Sequence, residues 1–125
     1  MNLSEPLVNP MLQALCDKWV AIKAITLSDM DGSTIAKLVT TPCDTDTAGT
    51  VAASTWVMVE NNIRELRQKN VKQILIKGKQ GWIILQLILQ KLVLLVLANP
   101  SIPCEVLSKE VNLLASQISE LSERG

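Results

Sequence analysis

The sequence predicts an α/β (α+β) fold: a five-stranded, mainly antiparallel sheet between helices, in the order α-β-β-α-β-β-β-α. Three observations carry the prediction. Two β-branched, apolar segments flank an Asp31-Gly32 turn. Three other segments repeat apolar residues at spacings of four and three, as a helix with one buried face does. Two later runs are apolar at successive positions, the pattern of strands covered on both faces.

The first helix is read from Val8, Leu12, Leu15 and Trp19, with Asn9-Pro10 as its cap and first-turn proline and the residues before Asn9 as either an extra turn or a frayed end. Residues 21–27 (AIKAITL) form a strand, Ser28 to Gly32 turn the chain, and residues 34–39 return. Asp29 and Asp31 resemble the opening of a calcium loop. Thr34 and Thr40, however, occupy the sixth and twelfth positions, where such a loop needs Gly and Glu. Turn chemistry accounts for both aspartates. A polar loop, Thr40 to Thr47, supplies cap residues for a long helix from about Ala48 to Lys69.

That helix carries its main stripe on Ala52, Trp56, Val59, Ile63 and Leu66. A second apolar set, Val51, Ala53, Val57 and Met58, lies off the stripe. Packing on a sheet uses one stripe, so the extra apolar flank points to a second partner; the plainer alternative is a wide core stripe. Val71 to Lys77 is the next strand, followed by Trp82–Leu89 and Leu92–Ala98. The last two could be taken together as a short membrane span. Gln86, Gln90 and Lys91 in the middle favour two buried strands joined at Gln90-Lys91. Asn99 to Pro103 breaks the chain before a final helix with Leu107, Val111, Leu114, Ile118 and Leu121 on its stripe. The middle helix is expected on one face of the sheet and the two terminal helices on the other.

Composition narrows the chemistry. At 125 residues one domain, 1–125, is expected. Three Trp are the only aromatics, and no His is present. Ser-His and Cys-His nucleophilic pairs and His metal ligands are therefore excluded. No P-loop or dinucleotide fingerprint occurs, so no catalytic residues, cofactor or metal are expected. Cys16, Cys43 and Cys104 are widely spaced with no CxxC, which reads as reduced thiols in a cytoplasmic protein. The N-terminus has no signal-peptide pattern.

The net charge is zero but unevenly spread: residues 1–60 hold 3 basic and 7 acidic side chains, residues 61–91 hold 7 and 1. A neutral total argues against nucleic acid as partner, and the basic stretch reads as a solvated helix face and hairpin.

The element order, with Ala24-Ile25-Thr26-Leu27-Ser28-Asp29-Met30-Asp31-Gly32 followed by Ile35-Ala36, resembles the roadblock/dynein light chain family, in its stand-alone prokaryotic form. The Ala- and Thr-rich helix start (Ala48 to Ser54) and the strands at Gly81 to Ile84 and Leu94 to Ala98 add to the resemblance. Members often place a Gly-rich or charged turn where this chain has Pro100-Ser101-Ile102-Pro103. The resemblance implies a homodimer, or a dimer with a related roadblock chain, in which the long helices pack together and the third strands pair edge to edge. Carried over, the interface is Val51, Thr55, Met58 and Asn62 on the helix with Lys72, Ile74 and Ile76 on the strand. It further implies a small Ras-like GTPase as partner, scaffolded or regulated. Arg64 and Arg67 are the candidates for contacting it, against a simpler ion pair between Glu60 and Arg64. A small-ligand sensor and a longin-like trafficking adaptor are the alternative functions.

Overall fold

The computed structural model describes residues 3–67 and 70–123. The elements are α1 (Glu5–Lys18), β1 (Ile22–Asp29), β2 (Thr34–Val39), α2 (Ala48–Glu65), β3 (Gln73–Gly78), β4 (Gly81–Ile88), β5 (Leu92–Ala98) and α3 (Cys104–Glu123). The strands form one sheet in the order β2-β1-β5-β4-β3, and every neighbouring pair is antiparallel. β1, β5 and β4 lie inside the sheet, and β2 and β3 are its edges.

Alternation along the strands sends side chains to opposite faces. On one face Ile25, Leu27, Ile84, Leu94 and Val96 pack under α1 and α3, which contribute Val8, Leu12, Leu107, Val111 and Ile118. On the other, Leu85, Val93 and Leu95 meet Ala52 and Trp56 of α2. The apolar runs of β4, interrupted by Gln86, and of β5 thus serve both cores, as their composition predicts. Lys91 N–H donates to the Ile88 carbonyl (3.1 Å), closing the hairpin between them. Leu89 and Gln90 sit at positive φ there, so the turn begins one residue earlier than Gln90-Lys91.

The β1–β2 turn is built by Asp29. Its Oδ1 accepts from the N–H groups of Asp31 (2.9 Å) and Ser33 (3.0 Å), and Gly32 takes the left-handed φ of 91°. One oxygen of the Asp29 carboxylate thus serves the turn chemistry that the sequence reads there.

Two helix boundaries differ from expectation. α1 starts at Glu5 behind Ser4, so Pro10 lies inside the helix and Asn9-Pro10 is not its start. The extra turn buries Val8 completely, and the Ser4 carbonyl accepts from the N–H groups of Leu7 and Val8 (both 3.1 Å). Burying that side chain, worth about 1.5–3 kcal/mol, offsets the hydrogen bond that Pro10 removes. α2 stops at Glu65, short of Lys69, because Arg67 adopts a positive φ of 60°. Residues 68 and 69 lie outside the described residues. β3 correspondingly starts at Gln73 instead of Val71.

The Pro100–Pro103 connection has a packing role. Ile102 is buried, and its carbonyl accepts from the Trp82 indole N–H at 3.1 Å. Among the described residues no helix is long and apolar enough to cross a membrane.

Candidate interaction surface

α2 approaches the sheet through small residues. Gly49, Ala52 and Ala53 are buried, and a Cβ on Gly49 would lie 2.6 Å from the Gly32 carbonyl oxygen and 2.7 Å from Ser28 Oγ. Glycine there lets the helix start rest directly on the β1–β2 turn. Trp56, fully buried, is the one large side chain of the helix at the sheet; Val59 and Ile63 are half-buried. Ala53, read as part of the outer apolar set, belongs to this inner side because the helix lies so close.

The rest of that set faces outward. Val51 is 50% exposed, Val57 45% and Met58 56%, with Leu66 exposed at the helix end. Asn62 is exposed and Thr55 half-buried beside them. An open groove of about 570 Å³ runs between this flank and the β1–β2 turn, with Met30, Asp31, Asn61 and Asn62 among its lining.

β3 completes the surface. It is an edge strand, and no residue of it is fully buried. Ile74 stands opposite Leu85 and Ile76 opposite Ile83, so both isoleucines point to the α2 side; Lys72 lies on the same side, two residues before Ile74. Lys72 and Ile76 are exposed and Ile74 is half-buried. The seven expected interface residues therefore fall on two elements, α2 over β1 and β5 and the edge strand β3, that lie on one face of the sheet. Leu75, 43% exposed on the opposite side of the strand, was not among them. Only its position on an edge strand makes it a candidate, and strand order is not written in local sequence.

On the α3 side the strand is anchored. Gln73 Nε2 donates to Gln86 Oε1 (2.9 Å) and to the Ser108 carbonyl (3.2 Å), while Ser108 Oγ donates to Gln73 Oε1. This network ties the edge strand to α3 and holds its outer edge in place.

Arg64 lies in the last turn of α2 and Arg67 just past it, both exposed. No ion pair joins Arg64 to Glu60; the ion pair among the described residues is Lys18–Glu110 at 2.9 Å, linking α1 to α3. No group of three or more potential metal ligands occurs among the described residues. Cys16 is buried, and burial together with the nearby Asp17 carboxylate pushes its thiol up to about 11.

The fold and this surface define a sheet layered between two terminal helices and one long middle helix, the latter presenting an apolar flank on the face it covers. The Roadblock/LC7 domain model matches residues 11–98, and the chain belongs to that family. Among solved structures, MglB of Myxococcus xanthus is similar at 14% identity, covering 95% of this chain and 97% of that one, with a TM-score of 0.84. The gliding protein MglB of Thermus thermophilus aligns at 12% identity, covering 100% and 95%, with a TM-score of 0.86. A Roadblock/LC7 domain from Streptomyces avermitilis gives 17% identity, 90% and 95% coverage, and a TM-score of 0.79. At these identities the likeness is one of fold. Among curated proteins, none matches the sequence.

Proposed function

We propose that residues 1–125 act as one non-catalytic roadblock unit in the cytoplasm, which dimerises through α2 and β3 and scaffolds or regulates a small Ras-like GTPase. The observation that carries the reading is that Val51 and Met58 on α2 and Ile74 and Ile76 on β3 all leave apolar surface open on the same face of the sheet. The edge strand on the same face offers free backbone groups between its lysines, and pairing with another chain in a two-fold dimer would cover them. The GTPase step rests on family resemblance, which makes it the outer part of the reading. Arg64 and Arg67 are exposed at the end of α2, with no Glu60–Arg64 pair, and so are the residues proposed to meet the GTPase.

Light scattering behind size exclusion tests the dimer. The expected mass is twice 13.7 kDa for the native chain, falling to 13.7 kDa for Met58→Asp. The substitution is at an exposed position, so chain stability should move by no more than about 0.5 kcal/mol. A native chain that stays monomeric at high concentration sinks the homodimer. The GTPase step is tested by titrating the chain into Ras-like GTPases loaded with GDP or a non-hydrolysable GTP analogue. Saturable binding weakened by Arg64→Ala with Arg67→Ala is expected, and no binding in either nucleotide state rejects it.

A further inference from the structure

We infer that the chain carries a binding site for a small aliphatic carboxylate, in a cavity between the β3–β4 turn and the loop after β2, with Lys23 as the counter-charge. The cavity holds about 210 Å³, and Lys23, Cys43, Gly81, Ile83, Leu97 and Ala98 are among its lining. All of its lining comes from one chain, so the site does not rest on the dimer reading.

The backbone builds the cavity from three sides. β1 pairs with β5 at Ile22–Ala98 and again at Ala24–Leu97, which leaves Lys23 as an extra residue in a β-bulge. Bulges re-aim side chains, and here the extra residue is a half-buried lysine that lines the cavity. The Lys23 carbonyl accepts from the N–H groups of Thr40 (2.8 Å) and Thr41 (3.3 Å) and from Thr40 Oγ1 (3.1 Å). Those bonds tie the loop to the bulge just before Cys43 and fix the wall that carries it. The β3–β4 turn is the remaining wall. Gly81 sits there at a φ of 135°, and a Cβ on it would collide with the Ala98 carbonyl. Glycine lets the turn close down on the end of β5.

The lining selects the ligand. Ile83 and Leu97 stand opposite each other on β4 and β5, and both are only half-buried, which leaves an apolar floor. Lys23 Nζ donates to the Gln80 carbonyl at 3.2 Å, using one of its three donors. Among the described residues it pairs with no carboxylate; Asp44, beside Cys43, accepts instead from the Asp46 N–H at 3.1 Å. Lys23 is also the one charged side chain in the lining. A single cation beside an apolar floor matches a monoanion with an aliphatic body, whereas a phosphate would find one ammonium and no second charged donor. The volume lies below the roughly 300–1,000 Å³ of sites for drug-sized ligands, so the aliphatic body is short.

Cys43 reports occupancy, because it is exposed at the cavity while Cys16 is buried. The experiment uses the full chain with Cys104→Ser and follows alkylation of Cys43 by iodoacetamide as hexanoate is added. Hexanoate should slow the reaction several-fold and saturably. Hexanamide, its neutral isostere, and inorganic phosphate should not. Lys23→Met keeps the apolar stem and removes the charge; it should abolish protection while the circular dichroism spectrum stays native. Amide NMR shifts give a readout that does not need the thiol: hexanoate should move Lys23, Gly81 and Leu97 and leave α1 in place. Met58→Asp should behave as the native chain does, whatever the native oligomeric state.

Equal protection by hexanamide, or protection that survives Lys23→Met, overturns Lys23 as the counter-charge. Protection by phosphate overturns the carboxylate class. Binding lost in Met58→Asp overturns a site made by one chain. Millimolar hexanoate that neither protects Cys43 nor moves the local amides overturns the site itself.

Discussion

The two faces of the sheet are built to different standards. Under α1 and α3 the core is closed by large aliphatic side chains from both helices and four strands, and the polar groups under α3 are paired: Gln73 with Gln86 and Ser108, the Trp82 indole with the Ile102 carbonyl. The unpartnered atoms on that side, Asn9 Oδ1 and Trp19 Nε1, belong to α1 and its C-cap. Under α2 the helix supplies two alanines, one glycine and a single large residue, Trp56. Three polar atoms among the described residues are buried there without a partner: Thr26 Oγ1, Ser28 Oγ and Trp56 Nε1. Apolar side chains remain exposed on both α2 and β3. The first face is closed by the chain itself except at its β3 edge, where Leu75 is exposed. The second is left more open by the chain, and the proposed interaction surface lies there.

The largest test of this contrast is Trp56→Ala. Removing the one large anchor of α2 should cost about 3–5 kcal/mol in denaturant unfolding. A loss below about 1 kcal/mol would mean that α2 is held by something other than Trp56. On the opposite face Gln86→Leu should destabilise by about 1–3 kcal/mol, since it strips Gln73 of a partner at a buried site. The mirror experiment has the opposite sign. Thr26→Val is nearly isosteric and removes a hydroxyl that has no partner, so it should stabilise the chain by about 1 kcal/mol. Destabilisation by Thr26→Val would show that the hydroxyl is satisfied, and the contrast between the faces would shrink.

A smaller effect belongs to Cys16, which is buried in the aliphatic core. Its thiol is raised from 9.0 to about 11, first by burial and then by Asp17. Below the unfolded value of 9.0 the thiol is neutral in both folded and unfolded chains. Between 9.0 and about 11 the unfolded thiol ionises while the folded one holds its proton, so stability falls as pH rises through that window. Cys16→Val should flatten this part of the stability–pH curve, and an unchanged slope would assign it to other groups.

Much of the layering was legible because periodicity reports burial directly. The four-three stripes of α1 and α3, the Ala52 and Trp56 part of the α2 stripe, and the apolar runs of β4 and β5 correspond to one-sided and two-sided burial. Leu66, the expected end of the α2 stripe, instead lies past the helix and is exposed. Boundaries were less legible where one residue has two uses. Pro10 reads as a helix start, yet the gain from burying Val8 extends α1 beyond it. Arg67 ends α2 with a positive φ that nothing in its side chain announces. Ala53 looked like part of an outer flank because an alanine carries no sign of how closely its helix approaches the sheet. Leu75 was missed for a different reason. Its place at the outer edge follows from the order β2-β1-β5-β4-β3, a non-local property that no window of sequence contains.

The two edges of the sheet allow the central claim to be tested within one molecule. The bonds from Thr40 N–H to the Lys23 carbonyl and from Leu87 N–H to the Lys72 carbonyl set the alternation on β2 and β3. Lys37 and Val39 then point their amides outward on one edge, and Leu75 and Lys77 on the other. Amide hydrogen exchange should be followed at high and low protein concentration. If a second copy completes the α2 face, Leu75 and Lys77 will exchange slowly in concentrated protein and quickly on dilution or in Met58→Asp, while Lys37 and Val39 exchange quickly throughout. Fast exchange at Leu75 and Lys77 at every concentration would contradict the account.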